Sequence, residues 1–356
     1  MASASDDDPM NGRLTLEAEG SGSYADRLSR TLQPRPAGRY KVLDLFAGCG
    51  GLGLGFEAQG FDTTGFEVGA DPAATYRSNL HGECHEVFLE PGTDLPDADV
   101  IIGGPPCQPF SVGGNQLGLD DARDGFPAFV GAVEAIGPEL WLFENVRGMM
   151  YRNKWYFDEV VERLRGIGYV VEARLVNAKH YGVPQNRERL FVVGHRGEFN
   201  WPVGSKRFVT AGQALGELAH QIPEDAKFLT PSMDAYVARY EVASKCSRPR
   251  DLHLDRPART LTCRNLAGAT GDMHRVRLPD GRRRRLTVRE AARLQSFPDW
   301  FEFRGGEISQ YNQIGNAVPP LLSYQFGGAV REYLGSDHRL KPSEARKLCP
   351  QQATLA

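Results

Sequence analysis

Val42-Leu43-Asp44-Leu45-Phe46-Ala47-Gly48-Cys49-Gly50-Gly51-Leu52-Gly53 begins as a short apolar run, closes in a glycine-rich turn and leads into helix-compatible sequence up to Gln59-Gly60. A strand entering a helix through a glycine turn is the first half of a βαβ unit. The second half follows at once: Phe61–Phe66 reads as a strand ending at Glu67, and Asp71–Leu80 suits a helix. Further along, Val100-Ile101-Ile102 runs into Gly103-Gly104-Pro105-Pro106-Cys107. A helix over Pro127–Ile136 precedes Leu140–Phe143, which ends at Glu144-Asn145-Val146. An amphipathic helix over Trp155–Gly166 leads to strands at Tyr169–Leu175 and Arg189–Val193. Such alternation predicts an α/β protein with a doubly wound, mostly parallel sheet. Ligands of such sheets sit at the carboxyl ends of the strands. Gly48, Glu67, Cys107 and Glu144 each fall just after a strand-like run, which places them along one edge.

Outside this pattern the chain changes character. Residues 1–39, rich in Ser, Gly, Asp and Pro with no apolar period, read as a disordered leader. Alternation fades after about Pro202, and 203–283 is loop-rich, polar and basic, with the run Arg282–Arg285 at its end. Helical pattern returns at Thr287–Ser296 and at Pro319–Leu334, and the tail at 336–356 reads as weakly ordered. The expected organisation is a main domain of 40–202 plus 284–335, interrupted by a smaller domain at 203–283.

Composition excludes several classes. With 41% apolar and 24% charged residues the chain can build a core, so wholesale disorder is out. It has no apolar stretch of the ~18 residues a membrane span needs and no apolar signal core near its start, so no membrane partner is expected. The six cysteines, at 49, 84, 107, 246, 263 and 349, form no CxxC pair, which argues against a zinc ribbon or a disulfide scaffold and fits a reducing cytoplasm. His180 and His195 lack ligand spacing, and no metal is assigned. The net charge of −3 hides an asymmetry: residues 201–300 hold 18 Lys+Arg against 11 Asp+Glu. A basic segment on an acidic body fits a phosphate-binding module as well as a solvated face.

The glycine turn at 48–53 lets backbone approach a ligand closely, with free N–H groups facing it. Glu67, at the next strand end, can accept hydrogen bonds from ribose hydroxyls. The turn is out of register for a pyrophosphate and has Phe46 before it, which favours a nucleoside without a diphosphate. In Pro105-Pro106-Cys107-Gln108-Pro109-Phe110-Ser111 a cysteine is held stiffly between prolines, ahead of a glycine-rich polar loop (Ser111–Asp124) suited to close over a substrate. Buried inert cysteine is the alternative; the rigid flanks point to a nucleophile, with Gln185-Asn186-Arg187-Glu188-Arg189 able to stabilise the thiolate and Glu144 a candidate proton donor.

Together these stretches resemble the cytosine-C5 DNA methyltransferases of bacterial restriction–modification systems. Asp44–Gly51 resembles the family's S-adenosylmethionine (AdoMet) turn, Gly104–Ser111 its nucleophile loop, Glu144-Asn145-Val146 its glutamate motif and Gln185–Arg189 its arginine motif. Arg285–Pro298 is similar to the helix bracing the recognition domain, and Gln313-Ile314-Gly315-Asn316-Ala317-Val318-Pro319-Pro320 to the last motif. All six occur in the family's order between about 40 and 335.

The resemblance implies a Rossmann-like AdoMet-dependent methyltransferase sheet and a reaction. Cys107 would add to C6 of a flipped-out cytosine while Glu144 engages N3. Arg187 would contact O2 or support Cys107, and Arg189 would brace the loop. Phe46, Gly48, Gly50, Glu67, Pro105 and Asn316 would line the AdoMet site. An acidic residue before the nucleophile strand also belongs there; Glu90 and Asp94 compete for it, and Asp94 is placed in the cofactor set. Residues 203–283 become a target-recognition domain for double-stranded DNA. Thr260-Leu261 resembles a short element of such domains, and Arg282–Arg285 suits a phosphate clamp as well as a solvated turn. A monomer is expected, cytoplasmic and nucleoid-associated on DNA, with a separately acting restriction endonuclease as a candidate partner. One alternative is a tRNA cytosine-C5 methyltransferase, disfavoured because Cys263 is followed by Arg264 rather than Phe-Thr. Another is a catalytically idle DNA-binding subunit, disfavoured by intact Cys107, Glu144 and Arg187. A nicotinamide dehydrogenase is disfavoured by the turn's register and the Pro-Pro-Cys loop.

Overall fold

The computed structural model describes residues 22–35, 38–106, 124–151, 153–224, 226–245, 250–268 and 271–336. Cys107 and residues 111–123 of the loop after it lie outside the described residues, as do 1–21 and 337–356 of the two ends.

Contrary to the expected leader, Tyr24–Thr31 is a helix, α1. Ser23 caps it, accepting from the Asp26 amide while the Asp26 carboxylate accepts from the Ser23 amide. Tyr24, Leu28 and Leu32 are buried in the main core, Tyr24 Oη donates to Gly182 O and Trp300 Nε1 to Ser29 O. Three apolar residues at spacing four fill one helix face, a signal masked in sequence by the polar residues around them.

The body alternates as expected through β1 (Lys41–Leu45), α2 (Gly51–Ala58), β2 (Asp62–Glu67), α3 (Ala70–Asn79), β3 (Cys84–Glu86) and β4 (Val100–Gly103). It continues through α4 (Phe126–Ile136), β5 (Leu140–Val146), α5 (Lys154–Gly166), β6 (Val170–Asn177), β7 (Gln185–Asn186) and β8 (Glu188–His195). The main sheet has seven strands in the order β3-β2-β1-β4-β5-β8-β6. Pairings among β3, β2, β1, β4 and β5 are parallel, and β8 runs antiparallel between β5 and β6. Buried Val42, Val100, Ile102, Leu140 and Leu142 face one layer and Leu43, Ile101, Trp141 and Phe143 the other, each covered by helices. Strands buried on both faces read as continuous apolar runs, which is why these segments were legible. The three-residue β3 was not.

Beyond β8 the chain is less loop-rich than its composition suggests. It forms α6 (Ala211–Leu215), α7 (Pro231–Ala243), β9 (Ala258–Arg259), α8 (Cys263–Ala267), β10 (Arg275–Arg277) and β11 (Arg283–Arg285). β9 pairs with β7, and β10 with β11, so the boundary drawn at 283/284 falls inside a strand. α9 (Val288–Leu294), α10 (Glu307–Asn316) and α11 (Pro320–Gly335) return to the body. α11 packs on α2 so closely that a Cβ on Gly55 would stand 2.3 Å from Tyr324 N.

Candidate active site

The turn after β1 has Phe46, Gly48 and Gly50 at φ 59°, 55° and 87°. Positive φ is cheap for glycine but costs a phenylalanine on the order of 1–2 kcal/mol, so the Phe46 geometry must be over-determined by its surroundings. The Glu67 carboxylate, at the end of β2, accepts from Gly48 N through Oε2 and from Gly69 N through Oε1, both at 2.8 Å. It thereby ties the turn to the neighbouring strand end. A Cβ on Gly48 would meet nothing within 4 Å, so the backbone there faces open space. Val68 and Phe88, just beyond β2 and β3, are 60% and 53% exposed. Amide backbone and a carboxylate beside an open space fit the diol of a nucleoside. On the far side, a Cβ on Gly51 would lie 2.5 Å from Val318 O and 3.2 Å from Ala317 Cβ, so the turn after α10 abuts the start of α2. Asn316, expected in the cofactor set, is the last residue of α10, where its Oδ1 accepts from Cys263 Sγ at 2.7 Å.

Of the two candidates for the acidic residue before β4, neither closes a strand. Asp94 is exposed, and Glu90 sits in a turn closed by its own backbone and Thr93 Oγ1. The carboxylate at a strand end is Glu86, which closes β3 in register with Glu67. Glu86 escaped notice because β3, short and polar, carries no apolar run.

At the ends of β4 and β5, Gly103 pairs with Phe143, so Gly104-Pro105 and Glu144-Asn145 emerge side by side. Asn145 Nδ2 donates to Pro105 O at 3.0 Å and fixes the stem that leads to residue 107; sequence reading had given Asn145 no role. Gly125 N donates to Pro106 O, joining the two ends of the loop between them. Asp124, its last residue, accepts from Tyr156 Oη and from Phe126 N.

Glu144 is buried, and burial pushes its carboxyl above the ordinary range against the pull of Arg189 and Arg187. Arg189 Nε stands 2.9 Å from Glu144 Oε1, and Oε1 has no aligned hydrogen bond among the described residues. A buried carboxyl whose hold on its proton is strengthened, beside a guanidinium, is suited to donate to a ring nitrogen.

The two arginines stand in different surroundings. Arg189 is the one beside Glu144. Arg187, only 1% exposed, spends its guanidinium on backbone carbonyls: Nη1 on Leu261 O at 2.7 Å, Nη2 on Gly315 O at 3.1 Å and Ala317 O at 3.0 Å. Residue 187 lies between β7 and β8, whereas Arg189 is in β8, whose antiparallel pairing with β5 brings it beside Glu144.

The family model for C-5 cytosine-specific DNA methylase matches residues 40–332. The chain belongs to this family. It is 57% identical over 317 residues, 88% of this chain and 92% of the relative, to Type II methyltransferase M.AplI of Arthrospira platensis. It is 34% identical to Type II methyltransferase M.Eco47II of Escherichia coli, over 82% of this chain and 78% of that protein. Among solved structures, the methyltransferase EhMeth of Entamoeba histolytica superposes with a TM-score of 0.66 at 16% identity, covering 84% of this chain and all (100%) of that one. A Spodoptera frugiperda DNMT2 mutant does so with a TM-score of 0.63 at 17% identity, covering 82% and 100%. At these identities the structures show the fold alone.

The methyltransferase's basic segment is mostly neutralised from within. Arg275 and Arg284 are wholly buried, paired with Glu241 and Asp251 and with Glu290 respectively. Arg283 pairs with Asp234 and Asp251, and Arg282 with Asp280. Arg283 and Arg284 are thus built into the fold, whereas Arg282 pairs with Asp280 at the surface. Within 203–283, Lys206, Arg239, Lys245 and Arg264 have no carboxylate partner among the described residues. No group of His, Cys, Asp and Glu among the described residues is arranged to hold a metal. His195 instead pairs with Glu172, and His180 with Ser205 O. No helix among them is long and apolar enough to cross a membrane.

Proposed function

We propose that the enzyme transfers the methyl group of AdoMet to C5 of a cytosine swung out of duplex DNA, through a transient bond between Cys107 and C6. The observation that carries this reading is the buried Glu144, its proton affinity raised and Arg189 beside it, next to the pinned Pro105 stem that runs to Cys107.

C5 of cytosine is a poor nucleophile because its electrons belong to the aromatic ring. The Cys107 thiolate adds to C6 while Glu144 donates to N3, so the displaced electron pair makes C5 enamine-like. Arg189 holds the Glu144 carboxyl in place and faces the same pocket, where the base carbonyl would lie. When bound, AdoMet supplies a methyl group made electrophilic by its sulfonium. Once C5 carries the methyl, loss of the C5 proton to a base returns the electrons to the ring and expels Cys107. Access to both faces of the ring requires base flipping, which costs a few kcal/mol.

Glu67 is suited to the ribose diol, Val68 and Phe88 to the adenine faces, and Glu86 to a polar edge of the same nucleoside. Phe46, Gly48, Gly50, Pro105 and Asn316 complete that wall. Residues 203–283 act as the recognition region, with Lys206, Arg239, Lys245 and Arg264 available to phosphates and base edges. One copy of the chain works on cytoplasmic, nucleoid DNA.

Bisulfite sequencing of a plasmid that expresses the chain identifies the methylated site. A duplex with 5-fluorocytosine at that position, incubated with enzyme and AdoMet, should then trap a covalent complex through Cys107. Methylation that persists in Cys107→Ala, or no adduct with donor present, would overturn the mechanism.

A further inference from the structure

Between the DNA-facing and cofactor-facing parts of the molecule lies a buried polar knot that the chemistry above does not use. Gln185 and Arg187 are 0% and 1% exposed, and between them they bracket one residue of the segment after β9. Gln185 Oε1 accepts from Leu261 N at 2.8 Å, and Arg187 Nη1 donates to Leu261 O at 2.7 Å. The opposite ends of both side chains hold the body: Gln185 Nε2 donates to Leu294 O and Gln295 Oε1, and Arg187 Nη2 to Gly315 O and Ala317 O. Gln295 Nε2 adds a second donor to Ala317 O at 2.6 Å.

The two segments so joined touch. A Cβ on Gly315 would stand 2.4 Å from Cys263 N and 2.7 Å from Thr262 C, so glycine is required for the approach. Past this contact, Ala317 and Val318 press on Gly51 at the end of the glycine turn. In the other direction, Thr260 Oγ1 donates to Asn186 O, and Arg264, which has no acidic partner among the described residues, follows in α8. A side-chain chain of contact therefore runs from the cofactor turn to the edge of the recognition region.

We propose that Arg187 and Gln185 are positioning residues that lock Leu261–Cys263 onto the Gly315–Ala317 turn, so that AdoMet and DNA each favour the other's binding. The proposal rests on the reading of function given above. A guanidinium with five donors in a rigid fork can hold three carbonyls from two segments at once; an ammonium on a flexible stem cannot keep that geometry. If both ligands need the same joined unit ordered, the first to bind bears the ordering cost and the second does not. Burial, and after it the neighbouring Arg189 charge, lower the proton affinity of Arg187, while Glu144 pulls the other way.

The test uses the full-length chain and S-adenosylhomocysteine, which binds as a cofactor product and does not react. Its Kd is measured by titration calorimetry with and without saturating duplex that carries the mapped site. For the unaltered chain DNA should tighten it about tenfold, a common size for coupling between two sites. In Arg187→Lys and in Gln185→Met that ratio should fall toward one, while affinity without DNA stays within about threefold of the unaltered value. A purely structural role would lower both affinities together and leave the ratio intact, and that result overturns the proposal. So does an unaltered chain with a ratio of one. Thermal melting reports on folding, and if Arg187→Lys does not fold, Gln185→Met carries the test alone. If the unaltered chain binds neither probe, the functional reading fails first and takes the coupling with it.

Discussion

Asp44 offers a direct measurement of what the central strand costs. It lies on β1, between Gly65 of β2 and Ile102 of β4, with 1% exposure. Neither carboxyl oxygen has a hydrogen-bond partner among the described residues. Burial pushes its pKa from 3.8 to about 8; the nearby Gly53 amide pulls the other way and is outweighed, and Glu67 and Glu57 add to the rise. Folded, the group keeps its proton to about pH 8, whereas unfolded it loses it near 3.8. Between those limits the native state binds more protons than the unfolded chain, so stability falls as pH rises, by about 1.4 kcal/mol per unit, and levels off above the folded pKa. Asn has the same shape and does not titrate. The unfolding free energy of Asp44→Asn minus that of the unaltered chain should therefore grow by about 3 kcal/mol from about pH 5 to about pH 7.5. Urea unfolding of both proteins across that range measures it. Other titrations cancel in the difference, and any fixed packing cost of the amide displaces the curve without changing its slope. A difference that stays flat would show that Asp44 is ionised in the native protein and refute the reasoning.

Glu144→Gln removes a donor whose protonation burial favours, and should lower single-turnover methyl transfer by about 10²–10⁴ while DNA and cofactor binding persist; an unchanged rate would remove Glu144 from the chemistry. For the unaltered enzyme, the rate should decline as pH rises through that elevated pKa, because the ionised form cannot donate, and a pH–rate profile read against the variant checks this. Arg264→Ala should weaken DNA binding and reduce the salt dependence of log Kd by about one counterion with little effect on melting. Arg284→Ala, which strips the partner from buried Glu290, should instead cost about 3–5 kcal/mol of stability in urea titrations. Leu28→Ala, in the core face of α1, should cost about 2–5 kcal/mol, and a change near zero would return α1 to the status of a loose leader.

The family match over 40–332 sits on the same strand–turn–helix succession that the sequence announces. Its strands were legible because each is buried on both faces and must be apolar throughout. β3 escaped the reading because three residues at a sheet edge, of which only Cys84 is buried, form no apolar run, and with it went Glu86. α1 escaped because helical spacing of Tyr24, Leu28 and Leu32 is sparse, and only contact with Gly182 and Trp300 gives it a reason to form.

What the sequence determined by itself was the order of the elements and the chemical kinds of residue near their ends: an acid closing β2, an acid near the end of β5, prolines leading to a cysteine, two arginines separated by one residue. These follow from periodicity and from backbone needs, which are local. Which arginine meets Glu144, which of the region's charges are consumed in the interior and which stay free, and which carboxylate stands beside Glu67 were decided by tertiary structure. Each depends on the register of strands far apart in the chain, and a one-residue shift reverses the face a side chain presents. Residue order holds no record of that register until the sheet is assembled.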